Sequence, residues 1–205
     1  MPQENALDAV YRCTAKQIAA LRAGPDGQKA ALAELRRGLG KAPGEEPKLW
    51  GAFLAELPTG LYGMDGEPSR GEWAVYTALT LYALHQQGRK PNTEPVNQEG
   101  VRLGQAVAAL VEYDESGKRE ESSWERVRRR LIVAASAQDI GELAYHLRAL
   151  VRLLRDAGQP LDYPALAKEL YLWQTPRGIE RIKLQWAEDF YRNSPDNRKS
   201  KEEAK

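Results

Sequence analysis

The stretch at residues 140–158 reads IGELAYHLRALVRLLRDAG and contains the clearest helical pattern in the chain. Its apolar residues recur at steps of three and four, which is the one-sided stripe of an amphipathic helix. They are Ile140, Leu143, Ala144, Leu147, Leu150, Val151 and Leu154. At about 100 degrees per residue, Arg148, Arg152 and Arg155 follow one flank of this stripe. The sequence therefore predicts a helix whose core face is bordered by a row of arginines, with Tyr145 on the same side.

A second arginine-rich helix is predicted to begin at Ser122. Ser122 and Glu125 have the spacing of a capping box, in which each side chain bonds to the free backbone N–H of the other residue. The inward positions of this helix hold Trp124, Val127 and Leu131. The outward positions hold Arg126, Arg129 and Arg130, and Arg128 lies beside the inward residues. Together the two consecutive helices carry seven arginines.

The rest of the chain also shows helical patterns, and no segment alternates apolar and polar residues over the length of a strand. Helices are predicted at residues 4–23, 26–39, 48–57, 69–87 and 97–113, after Asp162, and at 178–191. We therefore expect an all-α protein of about nine helices in two small bundles. The expected subdomains are 1–95 and 96–192, joined by a hinge at 88–95. Residues 193–205 are expected to form a disordered, charged tail.

The composition is that of an ordinary globular protein. Of its 205 residues, 42% are hydrophobic and 29% are charged, so the chain is long enough for real cores and too apolar for disorder. The apolar runs are short and the N-terminus lacks the pattern of a signal peptide, so we expect a cytoplasmic protein without a membrane span. The net charge is only +1, so only local clusters of charge would attract nucleic acid.

The chain offers no arrangement typical of catalysis or metal binding. Neither His85 nor His146 has a second histidine or a carboxylate at the helical spacing of a metal motif, so we expect no metal ion. The single cysteine, Cys13, lies within a predicted helix and away from any base, which is typical of a buried structural residue. No nucleophile motif or paired carboxylate stands out. We therefore expect neither a catalytic residue nor a cofactor.

The arginines are the best candidates for a functional surface. Charged helix faces usually indicate only solubility, but few carboxylates follow these arginines. No acidic residue follows positions 126–130 until Asp139, and only Asp156 is close to the next arginine row. Guanidinium groups bind phosphates through two parallel hydrogen bonds. A smaller basic patch on the second helix holds Lys29, Arg36 and Arg37. These residues alone leave two interpretations open, contact with a nucleic-acid backbone and plain solvation.

The sequence of residues 122–191 and the order of its segments resemble those of the CasB family, the small subunit of the type I-E CRISPR Cascade surveillance complex. The similar segments are WERVRRRLI at 124–132, HLRALVRLLRDAG at 146–158, PLDYPALAKELYLW at 160–173 and QWAEDFY at 185–191. Upstream, the segments that resemble the family's early helices are AALAELRRG at 30–38 and WAVYTALTLYALH at 73–85. The chain departs from the family pattern at 101–104, where a serine is expected before Leu-Gly, and at 58–70.

The resemblance implies an elongated, two-lobed, all-helical protein without enzymatic activity. Such subunits line the belly of the RNA-guided complex, typically as two copies, and touch its backbone subunits and its large subunit. Their basic surfaces help to hold the target DNA and the displaced strand beside the crRNA. The nucleic-acid-binding residues expected for this chain are Lys29, Arg36, Arg37, Arg126, Arg128, Arg129, Arg130, Arg148, Arg152 and Arg155.

Two other functions stay open at this stage. A helical adaptor would bind only protein, with its arginines paired to a partner's carboxylates. A helix-turn-helix regulator would read a DNA sequence. Salt-dependent binding to a polyanion separates the adaptor from the others, and a preference for one base sequence favours the regulator.

Overall fold

The computed structural model describes residues 3–23 and 27–193. Within these ranges the chain forms nine α-helices and no β-strand, so the prediction of an all-α protein of about nine helices is confirmed. The helices are α1 (Gln3–Ala23), α2 (Gly27–Arg37), α3 (Trp50–Phe53), α4 (Arg70–His85), α5 (Leu103–Ala108), α6 (Glu121–Ala135), α7 (Ile140–Ala157), α8 (Tyr163–Trp173) and α9 (Pro176–Arg192). No helix in these ranges is long and apolar enough to cross a membrane.

Helix α4 lies at the centre of the fold because it is apolar around most of its circumference. All of its residues from Gly71 to His85 are buried except Trp73, which is half-buried. Helices α1, α2, α7 and α8 pack around it. A capping box fixes its start, since Ser69 Oγ accepts a hydrogen bond from Glu72 N at 3.0 Å and Glu72 Oε2 accepts one from Ser69 N at 2.6 Å. The buried helix predicted at 69–87 is therefore confirmed.

Helix α7 packs on α4 through the apolar stripe that the sequence predicts. The fully buried members of the stripe are Leu143, Leu147, Leu150, Val151 and Leu154. Asp139 caps the helix by accepting a hydrogen bond from Glu142 N at 2.8 Å. Gly158 ends it in the left-handed region at φ 67°, which costs glycine little because it has no Cβ.

Helix α8 joins the two halves of the chain because it packs against α1, α4 and α9. One continuous set of buried apolar residues therefore runs from Val10 on α1 to Phe190 on α9. Trp124 on α6 extends this core by stacking on Phe190, with 4.7 Å between the ring centroids. The buried apolar residues continue across residue 95. The division into two subdomains at that position stays a prediction. The predicted helix ends at 24–26 and the tail beyond residue 193 lie outside the described residues.

Two predicted helices are shorter than expected. The prediction at 97–113 was wrong at both ends, since α5 covers only Leu103–Ala108. The residues before α5 pair instead with the strand-like segment before α8, where Leu161 N donates to Val96 O at 3.0 Å and Asp162 N donates to Val101 O at 2.8 Å. The helix predicted at 48–57 divides into the 3₁₀ turn Pro47–Leu49 and the four-residue α3.

The capping box predicted at Ser122 and Glu125 is not formed. Helix α6 begins one residue earlier, at Glu121, and Glu120 is its N-cap residue. Glu120 N donates to Glu112 O at 3.0 Å, which holds Glu120 in an extended conformation and fixes the helix start there. Ser122 Oγ instead donates to a carboxylate oxygen of Glu120 at 2.5 Å.

The buried stripe of α7 makes a direct prediction for stability. We expect Leu147→Ala to lower the free energy of unfolding by about 2 to 5 kcal/mol, because Leu147 is fully buried and the substitution leaves a cavity. Leu184 is a matched control, since it is 61% exposed on α9 and its replacement by alanine should cost less than about 0.5 kcal/mol. Urea unfolding measures both values. Equal losses in the two variants would show that the helix phase is wrong.

Two buried ionisable groups lie in different parts of this core. Glu169 on α8 accepts hydrogen bonds from Trp186 Nε1 at 2.7 Å and Gln185 Nε2 at 2.5 Å, and Arg102 Nε lies 3.4 Å from it. Burial raises the pKa of Glu169 to about 7, although Trp186 and Arg102 oppose this. His85 on α4 lies 2.9 Å from the Tyr163 hydroxyl, and burial lowers its pKa to about 4.

These two groups give opposite contributions to the pH dependence of stability. Between pH 4.5 and about 7, folded Glu169 keeps a proton that the unfolded chain loses, so rising pH lowers the free energy of unfolding. Between about pH 4 and 6.5, folded His85 stays neutral while the unfolded chain takes up a proton, so rising pH raises the free energy of unfolding. Over the shared range the two effects oppose each other.

Removing the carboxylate should therefore expose the effect of His85. We expect the free energy of unfolding of Glu169→Gln to rise more steeply between pH 4.5 and 6.5 than that of the unchanged protein. Urea unfolding at several pH values across this range measures the two slopes. Parallel slopes would show that the pKa of Glu169 is the same in the folded and unfolded states.

Candidate nucleic-acid interface

Helices α6 and α7 pack side by side and border a surface groove of about 530 Å³. The lining residues are Ser122, Glu125, Arg126, Arg129, Arg130 and Val133 from α6, with His146 and Ala149 from α7. The α6 residues recur at steps of three and four, so one helix face supplies them. Because Trp124, Val127 and Leu131 are buried on the opposite face, the arginines are turned outward, as predicted.

Three exposed arginines at this surface make no ion pair or hydrogen bond with the residues that the structure describes. They are Arg129, Arg130 and Arg152, and all three are exposed. Arg152 lies three positions after Ala149 and therefore sits beside the groove, on the same outer face of α7. A guanidinium group without a carboxylate keeps all of its donors available for an incoming phosphate.

The expectation that residues 126–130 lack acidic partners was wrong for two of the four arginines. Arg126 Nη2 lies 3.1 Å from Glu112 Oε1, and Arg128 Nη1 lies 3.4 Å from Glu125 Oε2. Arg128 Nε also donates to the Tyr191 hydroxyl at 3.1 Å, which raises the pKa of the guanidinium. These exposed pairs contribute little to stability, but they occupy donors that a phosphate would use.

The other two arginines of α7 are half-buried beside the core. Arg155 donates to Asp156 Oδ1 from Nε at 2.9 Å and from Nη2 at 2.8 Å. Arg148 has a buried Nε that makes no hydrogen bond within the described residues. Its Nη1 lies 3.9 Å from the position that a Cβ on Gly40 would occupy, so this flank of α7 borders the loop that follows α2. Arg148 therefore lies where the arginine row comes close to this loop.

The three basic residues predicted on α2 have different surroundings. Arg36 is half-buried and its Nη1 donates to the Ala83 carbonyl at 3.3 Å, and burial lowers the pKa of its guanidinium. Arg37 is exposed and pairs with Glu34 at 2.7 Å. Lys29 is exposed on the first turns of the helix. Arg36 thus has a structural contact, and the nucleic-acid role of all three residues stays a prediction.

The expectation that His146 lacks a carboxylate at helical spacing was wrong, because Glu142 lies four positions earlier in the chain. His146 Nε2 lies 3.5 Å from Glu142 Oε1, one helical turn earlier on α7. No third ligand joins them, since in the part of the chain that the structure describes no three His, Cys, Asp or Glu side chains are placed to hold a metal ion. His146 and Glu142 therefore form an ordinary helical ion pair when the histidine is protonated.

A second basic groove was not predicted from the sequence. It has a volume of about 540 Å³ and is lined by residues that include Arg70, Arg177 and Arg181. The Arg70 guanidinium lies over the Tyr171 ring, 5.0 Å from its centroid. The helical spacing of Arg177 and Arg181 is visible in the sequence, but nothing local shows that Arg70 on α4 joins them.

The fold and the arginine-bearing surface together define a small all-helical protein with a basic face built from two adjacent helices. The chain belongs to the CRISPR-associated Cse2 family, whose model matches residues 31–191. The predicted membership of the CasB family is thereby confirmed.

Several solved structures are similar to this chain. CasB from Thermobifida fusca is 32% identical, with 89% of this chain and 97% of that chain covered and a TM-score of 0.69. A Cse2-family CRISPR-associated protein from Thermus thermophilus is 25% identical, with coverage of 93% and 97% and a TM-score of 0.58. A chain of a CRISPR RNA-guided surveillance complex shares the fold at 24% identity, with coverage of 95% and 98% and a TM-score of 0.65. No curated protein matches the chain.

The surroundings of the arginines predict how their removal affects stability. We expect the combined substitution Arg129→Ala, Arg130→Ala and Arg152→Ala to change the free energy of unfolding by less than about 0.5 kcal/mol per site, because the side chains are exposed and have no partner among the described residues. Arg36→Ala should cost about 1 kcal/mol or more, since it removes a charged donor from the Ala83 carbonyl. Urea unfolding compares them. If the triple variant lost as much free energy of unfolding per site as Arg36→Ala, then Arg129, Arg130 and Arg152 would stabilise the fold.

Proposed function

We propose that this protein is the non-catalytic small subunit of a type I-E CRISPR RNA-guided surveillance complex, Cascade, and that it acts in the cytoplasm without a cofactor. Membership of the Cse2 family supports the role, and the fold shared with a surveillance-complex chain agrees with it. Its proposed partners are the backbone and large subunits, a second copy of itself, the crRNA and the target DNA.

In this proposal the α6 and α7 surface holds the backbones of the target and displaced strands and stabilises the R-loop. The observation that carries it is the placement of Arg129, Arg130 and Arg152, which are exposed on neighbouring helices and paired with no carboxylate of the described residues. Arginine in this state forms forked, charge-assisted hydrogen bonds with phosphate. Such contacts position a strand and carry no sequence information.

A subunit of this kind has a clear physical task. In RNA-guided recognition, base pairing reads the sequence, and the exchange of a DNA duplex for an RNA–DNA duplex is nearly balanced in free energy. A few backbone contacts therefore decide how far the exchange proceeds. The same contacts are weak in the isolated protein, for which we expect a Kd of about 10⁻⁴ to 10⁻⁶ M at physiological salt. Within the assembled complex they become effectively intramolecular.

The test is a complex assembled with the triple variant Arg129→Ala, Arg130→Ala and Arg152→Ala. We expect normal assembly and weaker binding of target DNA. We also expect the slope of log affinity against log salt to become shallower by about 2 to 3, since each lost phosphate contact removes about 0.7 to 0.9. DNA affinity measured at several salt concentrations gives both quantities.

A matched control removes the same charge from other helices. The variant Arg12→Ala, Arg177→Ala and Arg181→Ala loses three exposed arginines of α1 and α9 and should keep both the affinity and the slope. If only the control variant lost DNA affinity, the binding surface would instead be the groove lined by Arg70, Arg177 and Arg181. If the isolated test variant bound DNA as tightly as the unchanged protein but failed to join the complex, its arginines would serve a protein interface, as in an adaptor. A preference for one base sequence would indicate a regulator.

A further inference from the structure

Tyr145 occupies the middle of the solvent-facing side of α7. Its side chain is 66% exposed, which is the largest exposure of any aromatic residue that the structure describes. The ring touches only one other ring, that of His146, edge-to-face at 5.4 Å between centroids. Its hydroxyl makes no hydrogen bond with the described residues. The folded chain alone therefore gives this ring little stabilisation.

The surroundings of Tyr145 are those of a strand-binding surface. Arg152 lies on the same face two turns further along α7, and Ala149 between them lines the groove that Arg129 and Arg130 border. Seven helical residues separate Tyr145 from Arg152 by about 10 Å along the axis, which is the length of about three stacked nucleotides at 3.4 Å each. A single strand on α7 could therefore place a phosphate at Arg152 and a base at Tyr145.

Three of the tryptophans cannot serve as stacking platforms. Trp124, Trp173 and Trp186 are buried in the core and present no face to solvent. Trp50, the most exposed tryptophan, lies on α3 and its indole N–H donates to the Gly44 carbonyl at 2.8 Å. Tyr145 is exposed and shares a helix face with Arg152, which is unpaired among the residues that the structure describes.

We propose that Tyr145 stacks on a base of a single-stranded nucleic acid whose phosphates lie on the neighbouring arginines. The inference rests on the proposed function and adds a contact of a different chemical kind. The ligand is an unpaired strand, because the bases of a duplex are already stacked on each other and turn only their edges outward. An aromatic platform accepts any base, so the contact adds affinity without sequence preference.

The test compares two oligomers with the same phosphates, a thymidine oligomer of about 12 nucleotides and an abasic deoxyribose-phosphate oligomer of the same length. We expect the full chain to bind the thymidine oligomer about 5-fold to 150-fold more tightly, the effect of one stacked base. Tyr145→Phe should keep this preference, because it keeps the ring. Tyr145→Leu and Tyr145→Ala should bind both oligomers equally. Fluorescence anisotropy measures the affinities, and circular dichroism confirms the fold of each variant.

The charge variant separates this inference from the proposed function. Arg129→Ala, Arg130→Ala and Arg152→Ala should weaken binding of both oligomers by similar factors, since both carry the same phosphates. Failure of the unchanged protein to bind either oligomer would overturn the proposed function and this inference together. Salt-dependent binding with no preference between the oligomers, or a preference that survives in Tyr145→Leu, would overturn the inference alone.

Discussion

The all-round burial of α4 is the constraint on which the rest of the structure depends. A helix that is apolar on almost every side is stable only when other helices cover its circumference, and here α1, α2, α7 and α8 do so. Because α7 turns its leucine stripe toward α4, its opposite face must point to solvent. That face carries Tyr145 and Arg152 and borders the groove with α6. The packing of the core therefore decides where the basic surface lies.

The parts of the fold that follow from local patterns could be predicted from the sequence. The phase of α7 is set by residues three and four apart, so the buried leucines and the exposed Arg152 were both predictable. The ends of the helices were harder to predict, because contacts between residues distant in sequence determine them. The 97–113 helix is shortened by pairing of its first residues with the segment before α8, and α6 starts early because Glu120 bonds to Glu112. Neither partner lies within one helical turn.

The candidate site was predictable to a similar depth. Arg129 and Arg130 face outward because of the helical phase alone, and both line the groove. The partner of Arg126 could not be seen, since Glu112 lies fourteen positions earlier, across a turn, at the end of another segment. The second groove was missed for the same reason, because Arg70 reaches it from the start of α4. Sequence patterns thus show which side chains face away from the core. Tertiary packing decides which of these side chains already have partners.

Glu112 and Glu125 already pair with Arg126 and Arg128. In the proposed function, this pairing makes the α6 surface selective among anions. A small anion that binds one of these arginines must displace a carboxylate that is held within the same molecule, so its net gain is small. A nucleic-acid strand on the proposed surface would engage Arg129 and Arg130 at the same time and release several counterions, whereas the two carboxylates release none. Glu112 and Glu125 therefore compete with incoming anions for Arg126 and Arg128. In the proposed function, they favour long strands of high charge density over small molecules that carry a single phosphate.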